Sequence, residues 1–256
     1  MRYDVSICLP AHRTHLWQRL YESAQAAVSP YSWELILVGP NEPPEFFADK
    51  KNFKFVKDYG SPSRCAQIAT MLAEGEFMMW GSDDGYFLPN SIRECISLKK
   101  NLERKDIVII KYAAGRDYSG ETPPDEYWKA WTHPDLRLPG IPEDYMITLL
   151  TMFSLDYFRE LGGWDCRFEH LNMNCHDLSF RVQRDGGTIH FSPNLVLTCD
   201  WNPNEGDHIA VQQAYERNDK FLFQQLYSED QSDRIQIDYF NWMQSPSVWA
   251  RRFGNG

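Results

Sequence analysis

Over its first 111 residues the chain alternates short apolar runs with segments of helical period, and that alternation admits few folds. Residues 4–10 and 34–38 are apolar runs halted at Pro10 and at Gly39-Pro40-Asn41, so both read as buried strands ending in loops. Between them Leu16, Leu20, Ala24, Ala27 and Val28 recur along one helix face. Such a β-α-β unit closes through a crossover, and a parallel sheet is expected. Residues 53–56 predict a third strand, followed by a helix from near Ser61-Pro62-Ser63 to Gly75 with Cys65, Ile68, Ala69 and Leu72 on one face. Phe77-Met78-Met79-Trp80 reads as a fourth strand, Asn90 as the cap of a helix carrying Ile92, Cys95, Ile96 and Leu102, and residues 106–111 as a fifth strand.

The texture then changes. Residues 113–144 hold Pro123, Pro124, Pro134, Pro139 and Pro142 with Tyr118, Tyr127, Trp128 and Trp131, which reads as a long irregular excursion. Sheet character resumes at 146–153, followed by a helix over 155–161 and a turn at Gly162-Gly163-Trp164-Asp165. A second helix is expected over 176–185, then strands over 188–191 and 195–199, and an amphipathic closing helix from Asp207. At 256 residues with 43% hydrophobic and 24% charged, the chain can bury one large core, so a single domain is expected. We divide it into a first half (1–111), a second half (112–205) and a helical tail (206–256).

Composition narrows the function. A formal charge of −10 and no Lys/Arg run argue against nucleic acid as partner. No apolar run approaches the roughly 20 residues of a membrane-spanning helix, and no secretory leader is read at the N-terminus, so a cytoplasmic protein is expected. Cysteines 8, 65, 95, 166, 175 and 199 form no C-x-x-C pair, which suits reduced thiols. Cys166, His170, Cys175 and His176 have zinc-ligand chemistry but lack the two-arm spacing of a zinc site.

The sharpest signal is Ser82-Asp83-Asp84 directly after the fourth strand, because α/β sheets bind ligands beyond the carboxyl ends of their strands. Adjacent carboxylates repel, and a hard cation such as Mn²⁺ or Mg²⁺ relieves them while substrate phosphates complete its shell. The plainer reading is a solvated Asp-Asp-Gly turn.

Five segments in order raise the first reading. Ser6 to Pro10, Ser63-Arg64, Glu74 through Trp80 into Gly81-Ser82-Asp83-Asp84-Gly85, Gly162-Gly163-Trp164-Asp165, and His176-Asp177 through Arg181 together resemble the nucleotide-sugar-dependent glycosyltransferases of the GT-A fold, in particular family 2. The resemblance implies an α/β GT-A (Rossmann-like) fold with a central, mostly parallel sheet flanked by helices, an irregular acceptor-side insertion and a C-terminal helical tail. It implies a UDP- or GDP-sugar donor, a carbohydrate or other hydroxyl-bearing acceptor, and transfer with inversion. Asp83 and Asp84 look like the aspartate motif that contacts the donor ribose and holds the metal, Asp84 more directly. Pro10, Ala11 and His12 look like the nucleoside loop, with Arg13 beside it, and Arg64 is similar to the arginine that supports the nucleotide.

Asp177 looks like the catalytic base. An acceptor hydroxyl has a very high pKa, so a carboxylate must take its proton as the anomeric carbon becomes oxocarbenium-like. Read near a helix start, Asp177 would have its charge favoured by the backbone dipole, and it could equally be a cap. His208 is the candidate for a C-terminal histidine reaching the metal or diphosphate. Trp164 is the candidate acceptor platform or else a core residue, with Asp165 and His176 beside it and Trp128 and Trp131 as weaker candidates. The chain departs from the family at Gly39-Pro40-Asn41, where an acidic pair often reads the base; Asn41 or Asp58 could stand in. Ser82 and His176 replace the commoner acids. Two rivals remain: a catalytically inactive nucleotide-sugar or carbohydrate-binding module, and a sugar nucleotidyltransferase, which would want a Gly-rich basic loop where Pro10-Ala11-His12-Arg13 stands.

Overall fold

The computed structural model of the protein describes residues 2–114, 146, 149–200, 208–227, 234–245 and 247–253. The opening β-α-β unit is present as β1 (Tyr3–Pro10), α1 (Trp17–Val28) and β2 (Trp33–Gly39), with β1 and β2 parallel and Val5 opposite Trp33. β3 (Phe53–Lys57) extends the parallel set beyond β2. Ile7, Leu9, Leu35 and Leu37 are fully buried, which is why these strands read as unbroken apolar runs. Each such side chain contributes about 1.5–3 kcal/mol by leaving water.

α2 (Pro62–Met71) begins where Ser61 accepts the Arg64 N–H at 3.2 Å and Pro62 takes the first turn. It stops at Leu72, short of the expected Gly75; that glycine instead opens β4 (Gly75–Met79), which runs parallel to β1. β5 (Gly85–Phe87) was not foreseen. Three residues behind an Asp-Asp-Gly turn carry no readable period, and pairing with a distant strand makes them sheet. Asn90 occupies the N-cap position of α3 (Ser91–Lys99) without a side-chain cap bond, and its φ of 66° is the left-handed geometry that asparagine tolerates.

The second half breaks the parallel pattern. β6 (Ile107–Ala114) and β7 (Thr151–Ser154) are antiparallel, and β7 also runs antiparallel to β4. α4 (Leu155–Glu160) and α5 (Leu171–Arg184) precede β8 (Ile189–Cys199), a single strand where two were expected, made continuous by an irregular register against β6 in which Ser192 accepts the Lys111 N–H at 3.0 Å. The described strands form one mixed sheet in the order β3-β2-β1-β4-β7-β6-β8-β5. α6 (His208–Ala214), a π-helical turn (Tyr215–Asp219) and α7 (Lys220–Tyr227) make up the closing helix, and α8 (Val248–Phe253) ends the described chain. A main core lies against the sheet, and Phe168, Met173, Phe180, Phe223 and Tyr227 form a second that docks α7 on α5.

Two geometric facts position the site. β1, β2 and β4 are parallel, so Pro10, Gly39 and the residues after Met79 emerge at one edge. α5 starts at Leu171, where the His170 ring nitrogen accepts the Asn172 N–H at 3.0 Å. Asp177 therefore lies in the second turn of the helix and neither caps it nor meets the N-terminal dipole.

Candidate active site

At the shared carboxyl edge Asp83 is buried and fully engaged. Its Oδ2 accepts the backbone N–H groups of His12 and Arg13, both at 2.7 Å, and Trp17 Nε1 at 3.4 Å, while Arg13 Nη1 donates to Oδ1. Burial alone would raise its pKa. The charge of Arg13, the nearby His12 ring and the two N–H bonds outweigh that, and the carboxyl titrates below its ordinary value. Asp83 thus ties the turn after β4 to the loop after β1. Asn41 does the same from β2, its Nδ2 donating to the His12 carbonyl at 2.8 Å.

Asp84 is also buried, and the Ser82 hydroxyl donates to its Oδ1. Its backbone carbonyl accepts Arg19 Nη2 at 2.8 Å, and Arg19 pairs with Asp200 at 2.8 Å, at the end of β8. Arg19 and Asp200 escaped the sequence reading, since nothing in their spacing links them to residues 82–84. The Arg64 guanidinium is held by Asp58 at 2.9 Å, donates to the Trp242 carbonyl at 3.0 Å and lies 4.6 Å from the Trp242 ring centre. Asp58 therefore fixes Arg64, and the expectation that it reads the donor base has no support in its contacts. The side chain of His208 lies outside the described residues, as do Trp128 and Trp131.

Asp177, expected as the catalytic base, is enclosed by basic partners. The side chain is 0% exposed, with Arg181 Nε on Oδ2 at 2.9 Å, Arg234 Nε on Oδ1 at 3.0 Å and the Tyr227 hydroxyl on Oδ1. Burial would raise its pKa, but the charges of Arg181 and Arg234, with the tyrosine bond, lower it to about 2. Closed off and held by three donors, the carboxylate has in this arrangement the contacts of a structural ion-pair centre. Arg181 also donates to the carbonyls of Leu161 and Gly163, so the cluster pins α5 beneath the Gly162-Gly163 turn.

The three acceptor candidates are buried as well. Trp164 is 1% exposed, with its ring edge-on to Trp80 and to Phe158 at centroid distances of 5.6 and 5.5 Å, and so is a core residue. Asp165 is buried and binds Arg167 at 2.7 Å and also Arg234. His176 is buried too, its ring 6.1 Å from that of Phe223. Arg234 and Tyr227, which complete this network, were missed because they stand 57 and 50 residues along the chain from Asp177.

The residues fit a cation in a limited way. Both oxygens of Asp83 accept protein donors and Asp84 Oδ1 accepts the Ser82 hydroxyl, so a hard cation at this motif would share its carboxylates with protein donors, Asp84 being the one named for the role. Mg²⁺ is commonly held by one or two carboxylates with water and substrate phosphates completing its shell, so this set suits a substrate-completed site. Among the described residues no cluster of three or more His, Cys, Asp or Glu could hold a metal alone.

Solved structures share this fold. Residues 1–349 of S. aureus TarS superpose with a TM-score of 0.60 at 15% identity, over 93% of this chain and 71% of that one. The same protein in complex with UDP gives 0.58 at 15%, over 93% and 71%, and in complex with UDP-GlcNAc 0.59 at 17%, over 93% and 72%. The mixed sheet flanked by helices is thus the GT-A-like arrangement of these glycosyltransferase structures, and at such identity the likeness carries the fold alone. No protein-family model and no curated protein matches the chain.

Proposed function

We propose that the chain is a metal-dependent glycosyltransferase that takes a sugar from a nucleoside-diphosphate donor, UDP- or GDP-linked, to an acceptor hydroxyl. The observation that carries this reading is the Asp83–loop contact: a buried carboxylate after β4 grips the backbone of His12 and Arg13 after β1, at the edge where an α/β sheet takes its ligand. Similar folds in complex with UDP and UDP-GlcNAc support the donor class.

In this reading Asp83 positions the nucleoside loop Pro10-Ala11-His12, and Asn41 braces it from β2. Asp84 would hold Mn²⁺ or Mg²⁺, which when bound would neutralise the charge that grows on a departing diphosphate. Arg13 pairs with Asp83, and Arg64 keeps its charge next to Asp58.

The test is nucleoside diphosphate release from UDP- and GDP-sugars in the presence of Mn²⁺, on the unaltered chain and on Asp84→Asn. Release should fall by about a hundredfold or more in the variant, the scale of losing one charge-stabilising group. Equal release from both, or full release in excess chelator, would refute the metal assignment.

A further inference from the structure

The nucleoside side of the site is covered by the chain's own C-terminal segment. Ala11 and His12 are buried, as are Gly39 and Pro40 at the end of β2. On the reading proposed above, this is where the donor base has to lie. The cover begins at Tyr239, whose carbonyl accepts Gln67 Nε2 at 2.7 Å. It continues through Trp242, which holds Arg64 by its carbonyl and its ring, and through Ser245, hydrogen-bonded to the Ser61 hydroxyl. The Tyr59 carbonyl accepts the Ser247 hydroxyl at 2.6 Å and the Ala250 N–H at 2.9 Å. The last anchor is Trp249 of α8. Its ring stands 6.1 Å from the His12 ring at an interplanar angle of 63°, and its edge lies 3.5 Å from where a Cβ on Gly39 would be.

The character of these contacts decides what the segment does. Its bonds to Tyr59 are neutral and worth about 0.5–1.5 kcal/mol each, so they can be exchanged at modest cost. Trp249 is 1% exposed, so neither ring face is open to receive a base by stacking. A nucleoside entering between the ends of β1 and β2 would meet the indole first. Arg64, grasped by Trp242, is a candidate nucleotide contact, and its release would accompany the same movement.

We infer that residues 239–245 and 247–250 form an autoinhibitory strap, in which Trp249 and the donor nucleoside compete for the space against His12 and Gly39. The inference rests on the donor site proposed above. It is tested by hydrogen exchange on the full chain, with UDP and with GDP, each with Mn²⁺, together with titration of the same nucleotides into Trp249→Ala. The Ala250 amide should exchange faster at saturating nucleotide. Trp249→Ala should bind about tenfold tighter than the unaltered chain, the gain expected when a strap closed nine-tenths of the time is removed. Slower exchange at Ala250, or weaker binding by the variant, makes α8 a wall of the pocket and overturns the strap while leaving the donor site standing. Unchanged exchange with equal affinity does the same. Nucleotide binding by neither chain overturns the donor site and the strap together. The exchange measurement needs no substitution, so it decides the matter even if Trp249→Ala does not fold.

Discussion

Replacing Asp177 by Asn leaves Arg181 and Arg234 buried against a neutral amide. Breaking a buried ion pair from one side costs about 3–5 kcal/mol, so Asp177→Asn should lose that much stability in a urea titration. The pH dependence gives the sign. The folded pKa, about 2, lies below the unfolded value near 3.9, so the stabilisation is present above about pH 4 and is lost as pH falls towards 2. The gap between the unaltered chain and the variant should therefore be flat above pH 4 and close below it. A gap that widened on acidification would contradict the network. Asp219 has the opposite sign: burial, aided by the charge of Glu169, raises it to about 6 against the N–H bonds from Glu169 and His170, so its contribution worsens as pH rises from about 4 to about 6. At Asp83 the expectation concerns binding. Asp83→Asn turns an NH₂ towards donors now held by carboxylate oxygens. Losing one charge-assisted bond of about 1.5–3 kcal/mol should weaken UDP or GDP binding about tenfold or more by titration calorimetry. Unchanged affinity would detach Asp83 from the donor loop.

At the scale of elements, the sequence was legible wherever local period and burial agree. β1, α1 and β2 follow from apolar runs and one helix face, because both faces of those two strands are largely covered, while the half-buried β3 shows in its Phe53, Phe55 and Val56. β5 and the continuous β8 were not legible, since their state is set by pairing across 82 to 114 residues. The start of α5 was placed five residues late because its cap is His170, a residue outside the usual Ser, Thr, Asp and Asn set. That error carried the site reading with it, giving Asp177 a helix-end environment it does not have. The i, i+4 pairing of Asp177 with Arg181 was the available signal for its structural role. The double-glycine turn tests the element directly. Gly162 has φ +90°, and a Cβ there would come within 2.1 Å of the Ile237 carbonyl. Gly162→Ala should thus cost more than the roughly 1–2 kcal/mol of the left-handed conformation alone, measured by denaturant midpoint.

For the whole molecule, the charge of −10 poses a problem for any anionic substrate, and the fold answers it locally. Arg13, Arg19 and Arg64 stand around the carboxyl edge of the sheet, each against an acid: Asp83, Asp200 and Asp58. With those charges internally matched, the diphosphate of the proposed donor would call for the extra cation proposed at Asp84. No described helix is long and apolar enough to cross a membrane. The central claim is that this edge binds a nucleoside diphosphate together with a divalent cation. Thermal unfolding of the full chain with UDP and with GDP, each with and without Mn²⁺, tests it most directly. At a hundredfold excess over Kd, one nucleotide with Mn²⁺ should raise Tm by about 5–10 °C, more than either component alone, and Asp84→Asn should abolish the cooperative part. No rise with either nucleotide, or an equal rise in Asp84→Asn, would contradict the account.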